Sequence, residues 1–119
     1  DMFGPTDMRV LADPLYRNAW GDVFGDAVYN VDAMWDISPM KYVTSDAPAF
    51  LILQGDLDDS VLMHHSQDLA AALEDVNVPV ELIIVYGGGH GMDLFQEGAT
   101  PDLSSITESL LAFLGNYLD

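Results

Sequence analysis

The sequence contains no cysteine. That absence excludes disulfide bonds, thiolate metal sites and a cysteine nucleophile. Basic residues are also scarce, because lysine and arginine together number 3 against 20 aspartates and glutamates, a formal net charge of -17 at pH 7. Such a negative field repels phosphates and anionic lipid headgroups. The composition therefore argues against a nucleic-acid-binding protein and against binding to a membrane surface.

Long apolar runs are missing as well. Runs such as residues 50–53 and 82–86 have the length of β-strands and fall far short of a membrane span. The sequence also lacks a basic stretch followed by an apolar one near its start, so it shows no targeting segment and assigns no compartment. With 119 residues, of which 50% are hydrophobic, the chain is expected to be soluble and to fold around one modest core.

The second half of the chain has the pattern of a strand, a helix and a second strand. Residues 49–53 form an apolar run bounded by Pro48 and Gly55, which is typical of a buried strand. Residues 63–75 have apolar positions at helical spacing, and residues 80–86 form the next apolar run. A strand, helix and strand in succession predict two parallel strands joined by a right-handed crossover.

The remaining segments are expected to be helical or irregular. Thr100 followed by Pro101 predicts the N-cap and first position of a C-terminal helix. The apolar stripe of that helix would consist of Leu103, Ile106, Leu110, Phe113 and Tyr117. Residues 1–45 contain turn signals and interrupted apolar patterns, so we expect short helices and loops there.

Two residue types suited to proton transfer follow the two predicted strands. Asp58 lies just beyond the first strand, and His90 lies in the loop Gly87-Gly88-Gly89-His90-Gly91 just beyond the second. Because the carboxyl ends of parallel strands share one edge of a sheet, the two side chains are expected to meet there. A carboxylate that accepts a proton from one imidazole nitrogen orients the ring and leaves the other nitrogen basic.

The motif Gly55-x-x-Asp58-x-x-Val61, followed by a helix, a strand and Gly89-His90-Gly91, resembles the C-terminal part of α/β-hydrolases. The relevant branches are the acetyl-xylan and feruloyl esterases and the prolyl-oligopeptidase-like peptidases. Gly4-Pro5-Thr6-Asp7 and Ser38-Pro39-Met40-Lys41-Tyr42-Val43 also resemble segments that follow the nucleophile strand in that family. One departure is Gln54, since many relatives have histidine before the glycine.

This resemblance implies a partial α/β-hydrolase fold, the last two parallel strands with flanking helices in a three-layer αβα arrangement. Residues 1–45 would be the connection after the nucleophile strand, and residues 46–119 would present the triad acid, Asp58, and the triad base, His90. The resemblance implies hydrolysis of carboxylic esters through an acyl-enzyme, or of peptides, with no cofactor and no metal.

The nucleophile of that triad is absent, since no G-x-S-x-G occurs in the sequence. The isolated chain is therefore expected to be inactive and to need the missing N-terminal half of the hydrolase domain as its partner, with a small-molecule ester as substrate. The strand at residues 49–53 would lack a neighbour on one side, which predicts a homodimer through that exposed edge.

Two other interpretations remain open. The chain could be a non-catalytic acidic binding module that keeps a degenerate hydrolase fold. Alternatively, Asp56, Asp58 and His64 could bind a metal ion, although adjacent histidines such as His64 and His65 point in different directions on a helix. The hydroxyls of Ser60, Ser66, Ser104 and Ser105 lack a nucleophile elbow, and loop or capping roles suit them better.

Overall fold

The structure is a computed structural model that describes residues 1–2, 4–12 and 20–118. Its contacts divide the chain into two compact units, one formed by Asp1–Gly4 with Thr44–Asp119 and the other by Pro5–Val43. The first unit contains strands β1 (Phe50–Gly55) and β2 (Val80–Val85). The expected division of a single hydrolase domain into residues 1–45 and residues 46–119 stays a prediction.

Within the described residues the chain forms, in order, the helices α1 (Val31–Asp36), α2 (His64–Asp75) and α3 (Leu103–Tyr117), with 3₁₀ helices at Met8–Ala12, Gly25–Tyr29, Pro39–Tyr42 and Gly91–Phe95. Residues 20–24 are also helical. None of these described helices combines the length and the apolarity that crossing a membrane requires.

Strands β1 and β2 pair in parallel, with Phe50 opposite Val80 and Gly55 opposite Val85. The observed strands lie within two residues of the predicted ones at each end. Their apolar, branched side chains suit a sheet that is covered on both faces. Because the first and last residues of the two strands are paired with each other, both strands end at the same edge of the sheet. The loops that follow them therefore start side by side.

Helices cover both faces of this sheet. On one face, Leu53 of β1 and Val85 of β2 form a buried cluster with Leu94, Ala99 and Ile106 of α3. Neighbouring residues of a strand point to opposite faces, so Gln54 points to the other face, where it meets Ser66 of α2. The predicted three-layer αβα arrangement with parallel strands is confirmed.

The edge of β1 opposite β2 is paired within the chain near its centre. The amino group of Asp1 donates to the carbonyl of Leu51 at 2.7 Å, and the N–H of Leu53 donates to the carbonyl of Asp1 at 2.9 Å. Met2 forms a parallel bridge with Leu53. This stretch of the edge already has partners, and the dimer through it stays a prediction for solution measurement.

The start of α3 differs from the prediction. Thr100 does not cap the helix, because its N–H and carbonyl both pair with Tyr86, at 2.9 and 2.8 Å. This antiparallel bridge holds Thr100 in an extended conformation, so the helix begins after Asp102, whose Oδ1 accepts from the N–H of Ser105 at 2.9 Å. In the expected stripe only Ile106 and Phe113 are buried.

The second unit has a small core of its own, made of Met8, Leu11, Val28 and Met34. Buried Ser38 links its elements, since its hydroxyl oxygen accepts from the N–H of Met8 and its hydroxyl donates to the carbonyl of Met34, both at 2.8 Å. Short helices predicted in this region are present where the chain is described, and residues 13–19 lie outside the described part.

Candidate functional site

The structure brings Asp58 and His90 into contact. Nδ1 of His90 lies 2.9 Å from Oδ2 of Asp58, although 32 positions separate the two residues in the chain. The Asp58 side chain is fully buried, with 0% exposed, whereas 41% of the His90 side chain is exposed. A hydrogen bond from Nδ1–H to the carboxylate makes Nε2 the basic nitrogen of the ring. The pair thus has a buried acid and an imidazole that solvent and ligands can reach.

Backbone groups hold the second oxygen of the Asp58 carboxylate. Oδ1 accepts from the N–H groups of Ser60 at 2.9 Å and Val61 at 2.8 Å. Burial by itself raises the pKa of Asp58, but the hydrogen bonds from Val61, His90 and Ser60 outweigh it, so the pKa is lowered from its ordinary value of 3.8. The acid is therefore ionised at neutral pH despite its burial.

Two hydrogen bonds join the loop after β1 to the loop after β2. The N–H of Gly87 donates to Oδ1 of Asp56 at 2.6 Å, and the N–H of Leu57 donates to the carbonyl of Gly88 at 2.9 Å. Both bonds are made by the backbone of consecutive residues, Gly87 and Gly88, that lead to His90. They fix the distance between the segment that presents the acid and the segment that presents the histidine.

A turn immediately after His90 fixes its backbone. The carbonyl of His90 accepts from the N–H of Asp93 at 3.2 Å, and the carbonyl of Asp93 accepts from the N–H of Gly89 at 3.0 Å. Gly91 has a φ of +63°, a left-handed conformation that glycine adopts without strain. Leu94, in the 3₁₀ helix that starts at Gly91, is fully buried, so the histidine loop is anchored in the core.

A buried amide also contacts the acid. Nε2 of Gln54 lies 3.2 Å from Oδ2 of Asp58, and the hydroxyl of Ser66 donates to Oε1 of Gln54 at 2.8 Å. The sequence identifies Gln54 only as a departure from the family that the chain resembles, and it predicts a loop or capping role for Ser66. Their contact depends on α2 packing against β1, and the sequence offers only the weak signal of a glutamine at the end of an apolar strand.

The other candidates do not join this pair. Among the described residues, no three histidine, aspartate or glutamate side chains are placed together to hold a metal ion, which gives the metal interpretation of Asp56, Asp58 and His64 no geometric support. His65 is buried and stacks on His64, with ring centroids 4.4 Å apart.

The lowered pKa of Asp58 predicts a contribution to stability that depends on pH. Because the folded pKa lies below the unfolded value near 3.8, this contribution is present in full above that value and is lost as pH falls through the folded pKa. We expect Asp58→Asn to be less stable than wild type at neutral pH and the difference to shrink below pH 3.8. Urea denaturation of both proteins at pH values from neutral to below 3.8 measures the difference in stability. A difference that does not depend on pH would contradict the expectation.

Comparison with solved structures finds the same fold in hydrolases. A truncated form of a carbohydrate esterase from gut microbiota has a TM-score of 0.71 at 27% identity, over 94% of this chain and 40% of that chain. A puromycin-hydrolysing peptidase of Mycobacterium tuberculosis has a TM-score of 0.71 at 26% identity, over 98% and 18%. An acylaminoacyl peptidase of Pyrococcus horikoshii has a TM-score of 0.81 at 17% identity, which shows the fold alone.

The chain spans 40% of the esterase and less than one fifth of each peptidase. No curated protein matches it. Its sequence does match the prolyl oligopeptidase family over residues 4–119, which is nearly its whole length. The resemblance to α/β-hydrolases of the esterase and prolyl-oligopeptidase-like branches is confirmed, and the chain belongs to the prolyl oligopeptidase family.

Proposed function

We propose that this chain supplies the acid and the base of a serine hydrolase active site, with Asp58 as the acid and His90 as the base. The proposal rests on the contact between the two side chains, 2.9 Å from Nδ1 to Oδ2. A buried carboxylate held by backbone amides is fixed in place and ionised, while the partly exposed imidazole is reachable by a hydroxyl group. These are the features that a general base and its orienting acid need.

In the proposed reaction, Nε2 of His90 takes the proton from a serine hydroxyl while the serine oxygen bonds to the carbonyl carbon of the substrate. Asp58 stabilises the resulting imidazolium through Nδ1–H. The imidazolium then gives its proton to the departing alkoxide, which leaves an acyl-enzyme. Water then attacks the acyl carbon while Nε2 of His90 takes its proton, the bond from that carbon to the serine oxygen breaks, and the imidazolium gives its proton to the serine oxygen. The products are the acid and the alcohol, and both the serine and His90 return to their starting states.

The nucleophilic serine is proposed to lie outside this chain. The sequence contains no G-x-S-x-G, the motif that exposes a serine at the end of an α/β-hydrolase strand. The chain also covers well under half of the hydrolases that it matches. By itself, the chain is expected to hydrolyse neither esters nor peptides.

Carboxylic esters are the proposed substrates. The carbohydrate esterase aligns with 94% of this chain at 27% identity, which favours an ester. The puromycin-hydrolysing peptidase is nearly as similar, at 26% identity. Amide substrates are therefore the alternative outcome of the same assay, since the acid and histidine act on both substrate classes in the same way.

Sequencing the coding region around this chain and assaying its product tests the proposal. We expect a strand followed by G-x-S-x-G upstream, and we expect the longer protein to hydrolyse p-nitrophenyl acetate while the 119-residue chain does not. Labelling with a fluorophosphonate should mark the longer protein alone. A coding region without a nucleophile motif, or a longer protein that neither labels nor hydrolyses, would overturn the proposal and favour a non-catalytic binding module.

A further inference from the structure

Gln54 is the last side chain of β1 before the glycine that ends the strand, and it is fully buried. A buried primary amide costs free energy unless its donors and acceptor are satisfied. We propose that Gln54, held by Ser66, is a positioning residue that fixes the Asp58 carboxylate towards His90. This inference rests on the proposed function, in which Asp58 orients the histidine.

The surroundings of the amide determine which way it faces. Its nitrogen lies near three acceptors, Oδ2 of Asp58 at 3.2 Å, the carbonyl of Val61 at 3.1 Å and the carbonyl of Gly55 at 3.2 Å. A flipped amide would place an oxygen against those three oxygen atoms, so the amino group must point there. The hydroxyl of Ser66 then donates to Oε1 at 2.8 Å and completes the arrangement.

The amide and the imidazole share one oxygen of the acid. Gln54 and His90 both donate to Oδ2, at 3.2 and 2.9 Å, from different elements of the fold. The backbone N–H groups hold Oδ1, and the bond from Gln54 adds a donor on Oδ2, the oxygen that faces the histidine. The contact of Gln54 with the carbonyl of Val61 also holds the turn whose N–H groups bind Oδ1. Gln54 therefore connects the end of β1 to both oxygens of the acid.

A neutral donor suits this position. A cationic side chain beside Asp58 would compete with the imidazolium for the negative charge, whereas an amide fixes the carboxylate and leaves its charge available to His90. An amide also does not titrate, so its own donor capacity does not change with pH. Ser66, a hydroxyl in the first turn of α2, adds no charge either.

The side-chain ¹⁵N resonances of His90 test this inference in the chain itself, at a pH where the imidazole is neutral. We expect wild type to show the Nδ1–H tautomer. Gln54→Leu removes the donor at similar volume and should lose that signature. Ser66→Ala keeps the amide of Gln54 but removes the hydroxyl that donates to its Oε1. This variant should reduce the Nδ1–H population to a smaller degree.

Ser38→Ala is the matched control, because it deletes a buried hydroxyl in the other unit. We expect it to lower the melting temperature and leave the His90 resonances unchanged. If Gln54→Leu does not fold, Ser66→Ala decides the question alone. A folded variant with the wild-type signature, or an equal loss in Ser38→Ala, would overturn the positioning role and leave the proposed function standing. An Nε2–H tautomer in wild type would instead overturn both.

Discussion

We expect Asp58→Asn to lower kcat/KM of the longer, nucleophile-containing protein for an ester by about 10⁴-fold. The reason is the tautomer of the histidine. Oδ2 of Asp58 now accepts from Nδ1 of His90 at 2.9 Å. An asparagine amino group at that place would donate to Nδ1 and move the ring proton to Nε2, which could then no longer accept a proton from serine. Initial-rate kinetics with p-nitrophenyl acetate measures the effect.

Asp59→Asn is the matched control for this experiment. It removes the same charge at the next residue, whose side chain is exposed and not bonded to the histidine. We expect kcat/KM to stay at the wild-type value, because the local field alone does not orient His90. If both variants lost activity equally, the acid would act through the general charge of the site, and the assignment of Asp58 as the orienting acid would be wrong. If Asp58→Asn raised KM and left kcat unchanged, that result would also contradict the assignment of Asp58 as the orienting acid.

The meeting of Asp58 and His90 followed from features that are local in the sequence. Each residue comes directly after a short apolar run, and the helical segment between the runs requires the strands to be parallel. Parallel strands in step end at one edge, so the two loops had to be neighbours. Strand order and loop position therefore predict this contact, whereas the helices on both faces of the sheet were expected from the resemblance to α/β-hydrolases.

Two other contacts between residues distant in the chain were not predicted. Thr100 followed by Pro101 is typical of a helix N-cap, but the N–H and the carbonyl of Thr100 are hydrogen-bonded to the backbone of Tyr86. The helix therefore has Asp102 as its N-cap. Similarly, the link from Ser66 to Gln54 requires α2 to pack at one specific register on β1. Local propensity gives no information on such contacts, because each is decided by a partner many residues away.

The contact between the two site loops requires glycine at residue 55. A Cβ placed on Gly55 would lie 2.2 Å from the carbonyl oxygen of Gly88 and 2.7 Å from its carbonyl carbon, far inside van der Waals contact. The same oxygen accepts from the N–H of Leu57, so moving it away breaks that hydrogen bond. Gly88 is itself closely surrounded, because a Cβ built on it would lie 2.9 Å from the carbonyl oxygen of Leu94 and 3.0 Å from that of Val85.

We therefore expect Gly55→Ala to lower the free energy of unfolding by about 3 kcal/mol or more, at the upper end for an overpacked site. Urea denaturation measures this loss, and the ¹⁵N resonances of His90 should report that the histidine has left Asp58, since the clash lies between their loops.

Gly115→Ala in α3 is the control, because nothing lies within 4 Å of its added Cβ. In the last turn of this helix that change should raise stability, by no more than the roughly 0.5–1 kcal/mol of a helix interior. If Gly55→Ala were as stable as wild type and kept the Nδ1–H signature, the loops would have room to separate without disturbing the pair, and close backbone approach would not be what holds acid and histidine together.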